Sequence, residues 1–123
     1  MIEGIDVVFV HIQRDETVLW YRDVLGLAIR RRDGHWTEFE SSPNVRFALD
    51  LRKDVPSEVE RQAVVASFRV RDAEQAVRVL ASRGVKFHSE REGILLDVGT
   101  SLVATFRDPE GNWLQLSQPK GRP

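Results

Sequence analysis

Residues 5–26, which read IDVVFVHIQRDETVLWYRDVLG, set the pattern that decides the fold. Residues 5–12 are mostly β-branched or aromatic, and this composition predicts a strand. Beyond a polar cluster at 13–17, apolar residues recur near helical spacing up to Gly26, a typical helix end, so we expect a helix over about 16–25. Strands are predicted next at about 27–32, 35–40 and 45–51, with Asp33-Gly34 as a tight hairpin between the first pair.

The same order begins again at residues 63–84, which read AVVASFRVRDAEQAVRVLASRG. The pattern predicts a strand over 63–70 and then a helix capped by Asp72, with Gln75 at its third position and Gly84 at its end. Further strands are predicted at about 85–88, 93–98, 101–107 and 112–117. The last of them follows the turn Asp108-Pro-Glu-Gly-Asn112, in which Gly111 takes a positive φ and the side chains of Asp108 and Asn112 close the loop.

The chain is therefore predicted to be an internal duplication of one βαβββ unit. The halves align at an offset near 59 residues, which places Phe9 on Phe68, while Gly26 falls on Gly84 at 58. The units are predicted at 1–51 and 63–118, and the polar, proline-containing stretch at 52–62 is the linker between them.

Composition excludes several classes of protein. The chain has 123 residues, 41% of them hydrophobic and 30% charged, as expected for one soluble globular domain. It has no cysteine, which excludes disulfides and thiolate metal sites. A net charge of −1 does not favour nucleic acid or an anionic membrane as partner. No apolar run approaches the roughly 18 residues of a membrane span, and no export signal is recognised, so we expect a cytoplasmic protein.

Strand alternation predicts one apolar and one mixed face for each sheet. The mixed face carries acids, arginines and a tryptophan among small residues, which is more typical of the wall of a polar pocket than of a plain wet face with Asp–Arg pairs. Trp36 is a further candidate for stacking on a planar ligand. The mixed face comprises Asp6, Arg46, Asp50, Ser67, Arg69, Trp113 and Gln115.

Three motifs carry a family resemblance. Trp20-Tyr-Arg-Asp-Val-Leu-Gly26, the helix Asp72 to Gly84, and Phe106-Arg-Asp-Pro-Glu-Gly-Asn-Trp-Leu-Gln-Leu116 resemble motifs of the vicinal oxygen chelate superfamily, the glyoxalase, bleomycin-resistance and dioxygenase group. The resemblance covers nearly the whole chain. It implies an α+β fold in which tandem βαβββ units form a cup-shaped mixed sheet, with helices on the outer face, as a single domain over residues 1–123.

The resemblance also implies where a metal would be held in metal-using members. The positions that match are Asp6, Asp50, Val65 and Gln115. Val65 has no donor atom and no imidazole falls at any of these positions, so no metal is favoured; a weakly held Mg or Mn on Asp6, Asp50 and Gln115 is the alternative. The histidines, His11, His35 and His88, are interpreted as surface or packing residues.

Two functions follow from the resemblance. The preferred one is a metal-independent small-molecule binding protein, similar to the bleomycin-resistance branch, that acts as a homodimer and has no assigned catalytic residue. Its ligand-binding residues would be Arg46, Asp50, Ser67, Arg69, Trp36, Trp113 and Gln115. The alternative is a divalent-metal enzyme acting on a small oxygen-rich substrate as a lyase, isomerase or dioxygenase, for instance a glyoxalase-like lyase or an extradiol-type dioxygenase.

Overall fold

The chain divides into two compact units, Met1–Glu58 and Val59–Pro123. The computed structural model describes residues 1, 3, 5–53 and 64–121, so most of the predicted linker at 52–62 lies outside the described residues. None of the helices found among these residues has the length and apolar character needed to cross a membrane.

Unit 1 has the predicted βαβββ order. Its elements are β1 (Val7–Ile12), α1 (Asp15–Asp23), β2 (Ile29–Asp33), β3 (Trp36–Phe39) and β4 (Arg46–Leu51). The sheet order is β1-β4-β3-β2, with β1 parallel to β4 and the other neighbours antiparallel. The arginine-rich β2 is an edge strand, where charged side chains discourage pairing with other chains.

Helix α1 covers one face of the unit 1 sheet. The ring of Tyr21 lies 6.1 Å from that of Phe39 and 5.9 Å from that of Phe47, between ring centroids. Burial of side chains of this size stabilises a fold by about 1.5–3 kcal/mol each. The buried apolar residues of this core are Ile12, Val18, Tyr21, Phe39, Phe47 and Leu49.

Unit 2 repeats the arrangement. Its elements are β5 (Ala66–Arg69), α2 (Ala73–Ser82), β6 (Leu96–Asp97), β7 (Ser101–Arg107) and β8 (Trp113–Pro119). The sheet order is β5-β8-β7-β6, with β5 parallel to β8. The predicted α+β fold of tandem βαβββ units is therefore confirmed, as two four-stranded mixed sheets that each carry one helix.

One predicted strand of unit 2 is absent from the described residues. Residues 85–88 make only an isolated bridge between Phe87 and Phe106, and β6 has two residues rather than the six predicted over 93–98. Glycines on either side shorten β6, since Gly93 and Gly99 have φ of 105° and 96°, conformations outside those of a strand.

The predicted offset of 59 residues proved wrong for the first strands of the units. Phe9 pairs with Ala48 on the face turned away from α1, whereas Phe68 pairs with the buried Leu116 on the apolar face. A slip of one residue moves every side chain to the other face of a sheet. The offset of 58, which superposes Gly26 on Gly84, keeps the faces matched.

The turn before β8 has the predicted side-chain bonds. Asp108 is buried, and its Oδ1 accepts from the backbone N–H of Glu110 at 2.8 Å and of Asn112 at 2.9 Å. The Asn112 amide donates to Asp108 Oδ2 at 2.8 Å, and Gly111 has a φ of 90°. The closed turn fixes the start of β8, the strand that carries Trp113 and Gln115.

Candidate functional site

The polar face of unit 1 is the side of its sheet opposite α1. Strand pairing places His11 against Asp50 and Asp50 against Trp36, so these side chains form one row across β1, β4 and β3. The next row joins Phe9, Ala48 and Glu38 in the same way. We use the name "polar face of unit 1" for these residues together with Arg46, His35 and Arg52.

Asp50 is the centre of this face. Its side chain is only 8% exposed, and both carboxylate oxygens are engaged by imidazoles. His35 Nδ1 lies 2.5 Å from Oδ1 and His11 Nδ1 lies 3.1 Å from Oδ2. Arg52 Nη1 is 3.9 Å from Oδ2. A buried carboxylate is costly unless it is paired and hydrogen-bonded, and here two rings and a guanidinium meet that requirement.

A second buried acid lies beside it. Glu38 is 3% exposed, and its Oε1 accepts from Arg46 Nη1 at 3.1 Å and from Trp36 Nε1 at 3.4 Å. The other arm of Arg46 donates to Asp6 Oδ2 at 2.6 Å. The hydrogen bond to Asp6 and the charge of Asp6, followed by the charge of Glu38, raise the pKa of Arg46, so the guanidinium stays charged between its acids. Asp6 precedes β1 and is 81% exposed.

Aromatic side chains border the same face. The ring of Phe9 lies 5.2 Å from Trp36 and 5.5 Å from His11, between centroids. Phe9 is 45% exposed, so part of its ring is accessible to solvent on this face. Rigid rings beside polar groups are typical of surfaces that bind planar ligands.

Unit 2 has its own polar face, which we define by Ser67, Arg69, Thr105, Gln115 and Ser117. Strand pairing places Ser67 and Thr105 on either side of Gln115, and Arg69 against Ser117. The Ser67 hydroxyl lies 3.0 Å from Gln115 Oε1 and 3.1 Å from Ser117 Oγ. These neutral groups offer hydrogen bonds to a ligand without a fixed charge, apart from that of Arg69.

Trp113 lies at the start of β8 on the same side of the sheet. The guanidinium carbon of Arg107 lies 3.9 Å from the centroid of its ring, within cation–π distance. His88 meets the ring edge-on at 6.0 Å, and its Nε2 is 2.9 Å from Glu90 Oε1. Arg107 therefore covers one face of the ring of Trp113, a predicted ligand-binding residue.

The donor groups implied by the resemblance do not fit a metal ion. Asp6 is ion-paired with Arg46, both oxygens of Asp50 face imidazole nitrogens, and Gln115 Oε1 is bonded to Ser67. Val65 supplies no donor. Across residues 1, 3, 5–53 and 64–121, no group of three His, Cys, Asp or Glu is placed to hold a metal ion.

The structure brings the predicted residues together in two sets. Arg46, Asp50 and Trp36 lie on the polar face of unit 1, and Ser67, Arg69, Gln115 and Trp113 lie on one side of the unit 2 sheet. Sequence reasoning missed His11, His35, Glu38 and Phe9. Knowledge that β1 pairs in parallel with β4 would have placed His11 opposite Asp50. The alternation of side chains along each strand does not by itself reveal which strands are neighbours.

Comparison with solved structures shows which known proteins share this fold. Among solved structures, the glyoxalase family protein from Enterococcus faecalis superposes with a TM-score of 0.72 at 16% identity, over 94% of this chain and 97% of that one. TnmS3, an antibiotic binding protein from a Streptomyces species, gives 0.71 at 20% identity, over 97% and 98%. FosX, the fosfomycin resistance protein of Listeria monocytogenes solved with Mn(II) and sulfate, gives 0.73 at 14%, over 98% and 93%.

These identities are low enough that the structures establish the fold alone. No sequence among curated proteins matches the chain. A family model matches residues 9–116, which include both helices, the Asp108 turn and the strands from β2 to β7 in full. The chain belongs to the Glyoxalase/Bleomycin resistance protein/Dioxygenase superfamily.

Proposed function

We propose that the protein is a metal-independent small-molecule binding protein of the glyoxalase/bleomycin-resistance type, which holds its ligand against the polar sheet faces. The observation that carries the proposal is the polar face of unit 1, where two buried acids face guanidinium and imidazole groups beside the neighbouring rings of Phe9 and Trp36. The family includes binding proteins, and the structural relative TnmS3 is described as one that binds an antibiotic.

The charge arrangement supports binding rather than metal chemistry. The acids that could supply oxygen ligands already face cationic or hydrogen-bonding partners within their own unit. A cation would have to displace Arg46 or the imidazoles before it could be held by Asp6 or Asp50. An organic ligand would instead meet the more exposed partners of the buried acids, the imidazoles of His11 and His35 and the guanidinium of Arg46.

The aromatic groups support a planar ligand. Phe9 and Trp36 lie next to one another on the unit 1 face, and Trp113 lies on the corresponding side of unit 2. Ring stacking contributes about 0.5–1.5 kcal/mol beyond the burial of apolar area. We propose Arg46, Asp50, Trp36, Ser67, Arg69, Trp113 and Gln115 as the ligand-binding residues.

The proposal includes a homodimer in the cytoplasm. Phe9, Val64, Val65 and Val98 are large apolar residues left exposed in the single chain. A second copy could cover some of this surface, because exposed apolar patches are typical of association sites.

Metal content is the first test. The purified protein is dialysed with and without Mn, Mg, Ni and Zn, and bound metal is measured by elemental mass spectrometry. We expect no retained metal above the level of a protein-free dialysis control. Retention near one equivalent per chain, lost in Asp50→Ala, would overturn metal independence and favour the lyase, isomerase or dioxygenase alternative.

Ligand binding is the second test. A screen of planar aromatic and anionic compounds by thermal shift is expected to give stabilising ligands, since binding to the native state alone raises the unfolding temperature. For a hit, Arg69→Ala is expected to weaken binding about tenfold or more through loss of a charged hydrogen bond. Arg78→Ala is the matched control, because Arg78 lies on α2 and pairs with Glu74. Equal effects of both variants would contradict the assignment.

A further inference from the structure

His11, Asp50 and His35 form a cluster in which each carboxylate oxygen of Asp50 faces an imidazole nitrogen. The carboxylate of Asp50 is almost fully buried, whereas the side chains of His11 and His35 are 58% and 65% exposed. Both rings turn the same nitrogen, Nδ1, toward the carboxylate. The carboxylate of Asp50 is therefore buried, whereas the imidazoles of His11 and His35 are accessible to solvent.

This contact favours one tautomer of the neutral His35 ring. An ionised carboxylate only accepts hydrogen bonds, so Nδ1 of His35 carries the proton that points to Asp50. In the neutral ring, Nε2 is then the basic nitrogen, and a proton taken up there gives an imidazolium next to a carboxylate 2.5 Å away. A carboxylate that orients an imidazole and stabilises its charged form is the arrangement that makes histidine an effective base.

The neighbouring side chains indicate the kind of molecule that would meet this base. His35 directly precedes Trp36, whose backbone pairs with Asp50 across the sheet. The Phe9 ring contacts both Trp36 and His11. Arg52, 3.9 Å from Asp50, adds positive charge to the same end of the sheet. A planar ring with an acidic O–H would stack on the aromatic pair and offer its proton to the imidazole.

We propose that His35, positioned by Asp50, is a proton acceptor for hydroxy-aromatic ligands such as phenols. On binding, the phenol O–H bond breaks and its electron pair stays on oxygen, while the proton forms an N–H bond at Nε2 of His35. The products are a bound phenolate and an imidazolium paired with Asp50. This inference rests on the proposed small-molecule binding function and names its ligand class.

The test uses 4-nitrophenol and its methyl ether 4-nitroanisole, which has the same ring but no proton to give. Binding is measured by calorimetry, and the ionisation of bound nitrophenol by its long-wavelength phenolate absorption, at a pH where the free compound is mostly protonated. We expect bound nitrophenol to show the phenolate band and to bind about tenfold or more tightly than nitroanisole, as a charge-assisted hydrogen bond provides. Equal affinities, or no phenolate band, would overturn the proposal.

Substitutions test which residue accepts the proton of nitrophenol. His35→Gln is expected to abolish the phenolate band and to bring the affinity for nitrophenol down to the affinity for nitroanisole. Asp50→Asn is expected to weaken the band. Glu90→Gln is the control, because it removes the carboxylate from the other histidine pair, His88–Glu90, and leaves both readouts unchanged. A band that survives in His35→Gln and disappears in His11→Gln would overturn the assignment to His35.

The outcomes separate this inference from the function on which it rests. Retained nitroanisole binding without a phenolate band would contradict proton transfer and leave the binding function standing. Failure of both compounds overturns the proposed ligand class, whereas failure of the whole thermal-shift screen is needed to contradict small-molecule binding. Circular dichroism of each variant establishes that a lost signal does not come from unfolding.

Discussion

Asp50 and Asp108 are both buried carboxylates, and neighbours satisfy them in different ways. Asp108 accepts two backbone N–H groups and the Asn112 amide, all from its own turn. Asp50 instead meets two histidines from β1 and from the β2–β3 connection. Among the described residues, no buried side-chain nitrogen or oxygen lacks a hydrogen-bond partner. A local motif predicts the first arrangement, whereas only strand pairing creates the second.

Asp108→Ala is expected to destabilise the protein by about 1–3 kcal/mol, because it leaves the N–H groups of Glu110 and Asn112 without their acceptor. Urea unfolding followed by circular dichroism measures the change. Asp108→Asn keeps a side-chain oxygen and should lose less. If both variants have wild-type stability, the turn is not held by this side chain.

The surface pair Asp97–Lys120 should make stability depend on pH. The bond from Lys120 Nζ at 2.6 Å, and secondly the backbone N–H of Gly99, lower the pKa of Asp97 below its usual 3.8. Because the folded-state pKa lies below the unfolded one, the stabilisation is present above about pH 4 and disappears as pH falls through the folded pKa.

Asp97→Asn is therefore expected to unfold at a lower temperature than the wild type at neutral pH, and the difference should shrink as pH falls below about 4. Thermal unfolding scans across this range measure the difference. Lys120→Gln removes only the contribution of Lys120 and should give a smaller difference that also shrinks as pH falls. A difference that stays constant down to the lowest pH would exclude Asp97 ionisation as its source.

At the level of elements, the two helices begin differently but end alike. Asp72 Oδ1 accepts from the N–H of Gln75 at 3.0 Å at the start of α2, and Gln118 of β8 accepts from Ala73 N–H at 2.8 Å. Helix α1 has no side-chain cap at Arg14, and acids in its first turn interact with the helix dipole instead. Both helices are followed by a glycine with positive φ.

Asp72→Ala is expected to reduce stability by about 1 kcal/mol, the usual effect of removing a helix N-cap. The loss is measured by denaturant unfolding. Asp72→Asn preserves the accepting oxygen and serves as the control, with stability close to the wild type. An equal loss in the two variants would indicate that the charge of Asp72, rather than its capping bond, stabilises α2.

At the level of strands, the repeat pattern predicted the wrong match between the sheet faces of the two units. An alignment of the two halves that places Phe9 on Phe68 matches two identical residues. The strand pairings of β1 and β5 nevertheless place the two rings on opposite faces of their sheets. Helix ends are better markers for aligning the halves, since the glycine after each helix must adopt a positive φ.

For the whole molecule, the proposed homodimer gives a direct prediction. Light scattering coupled to gel filtration should give a mass about twice the 14.1 kDa of one chain. Phe9→Ser and Val65→Ser are expected to shift the mass toward the monomer if these exposed apolar residues lie in the interface. A monomer of 14.1 kDa for the wild type at all concentrations tested would contradict the dimer.

The sequence by itself determined the features that depend on local chemistry. Hydrophobic periodicity, the glycines after the helices and the Asp108 turn specified a duplicated βαβββ unit, because each of these signals acts within a few residues of chain. The tertiary structure alone decided the partners of Asp50. His11, His35 and Asp50 are distant in sequence, and they meet only because β1 pairs in parallel with β4 and the β2–β3 connection reaches the same end of the sheet.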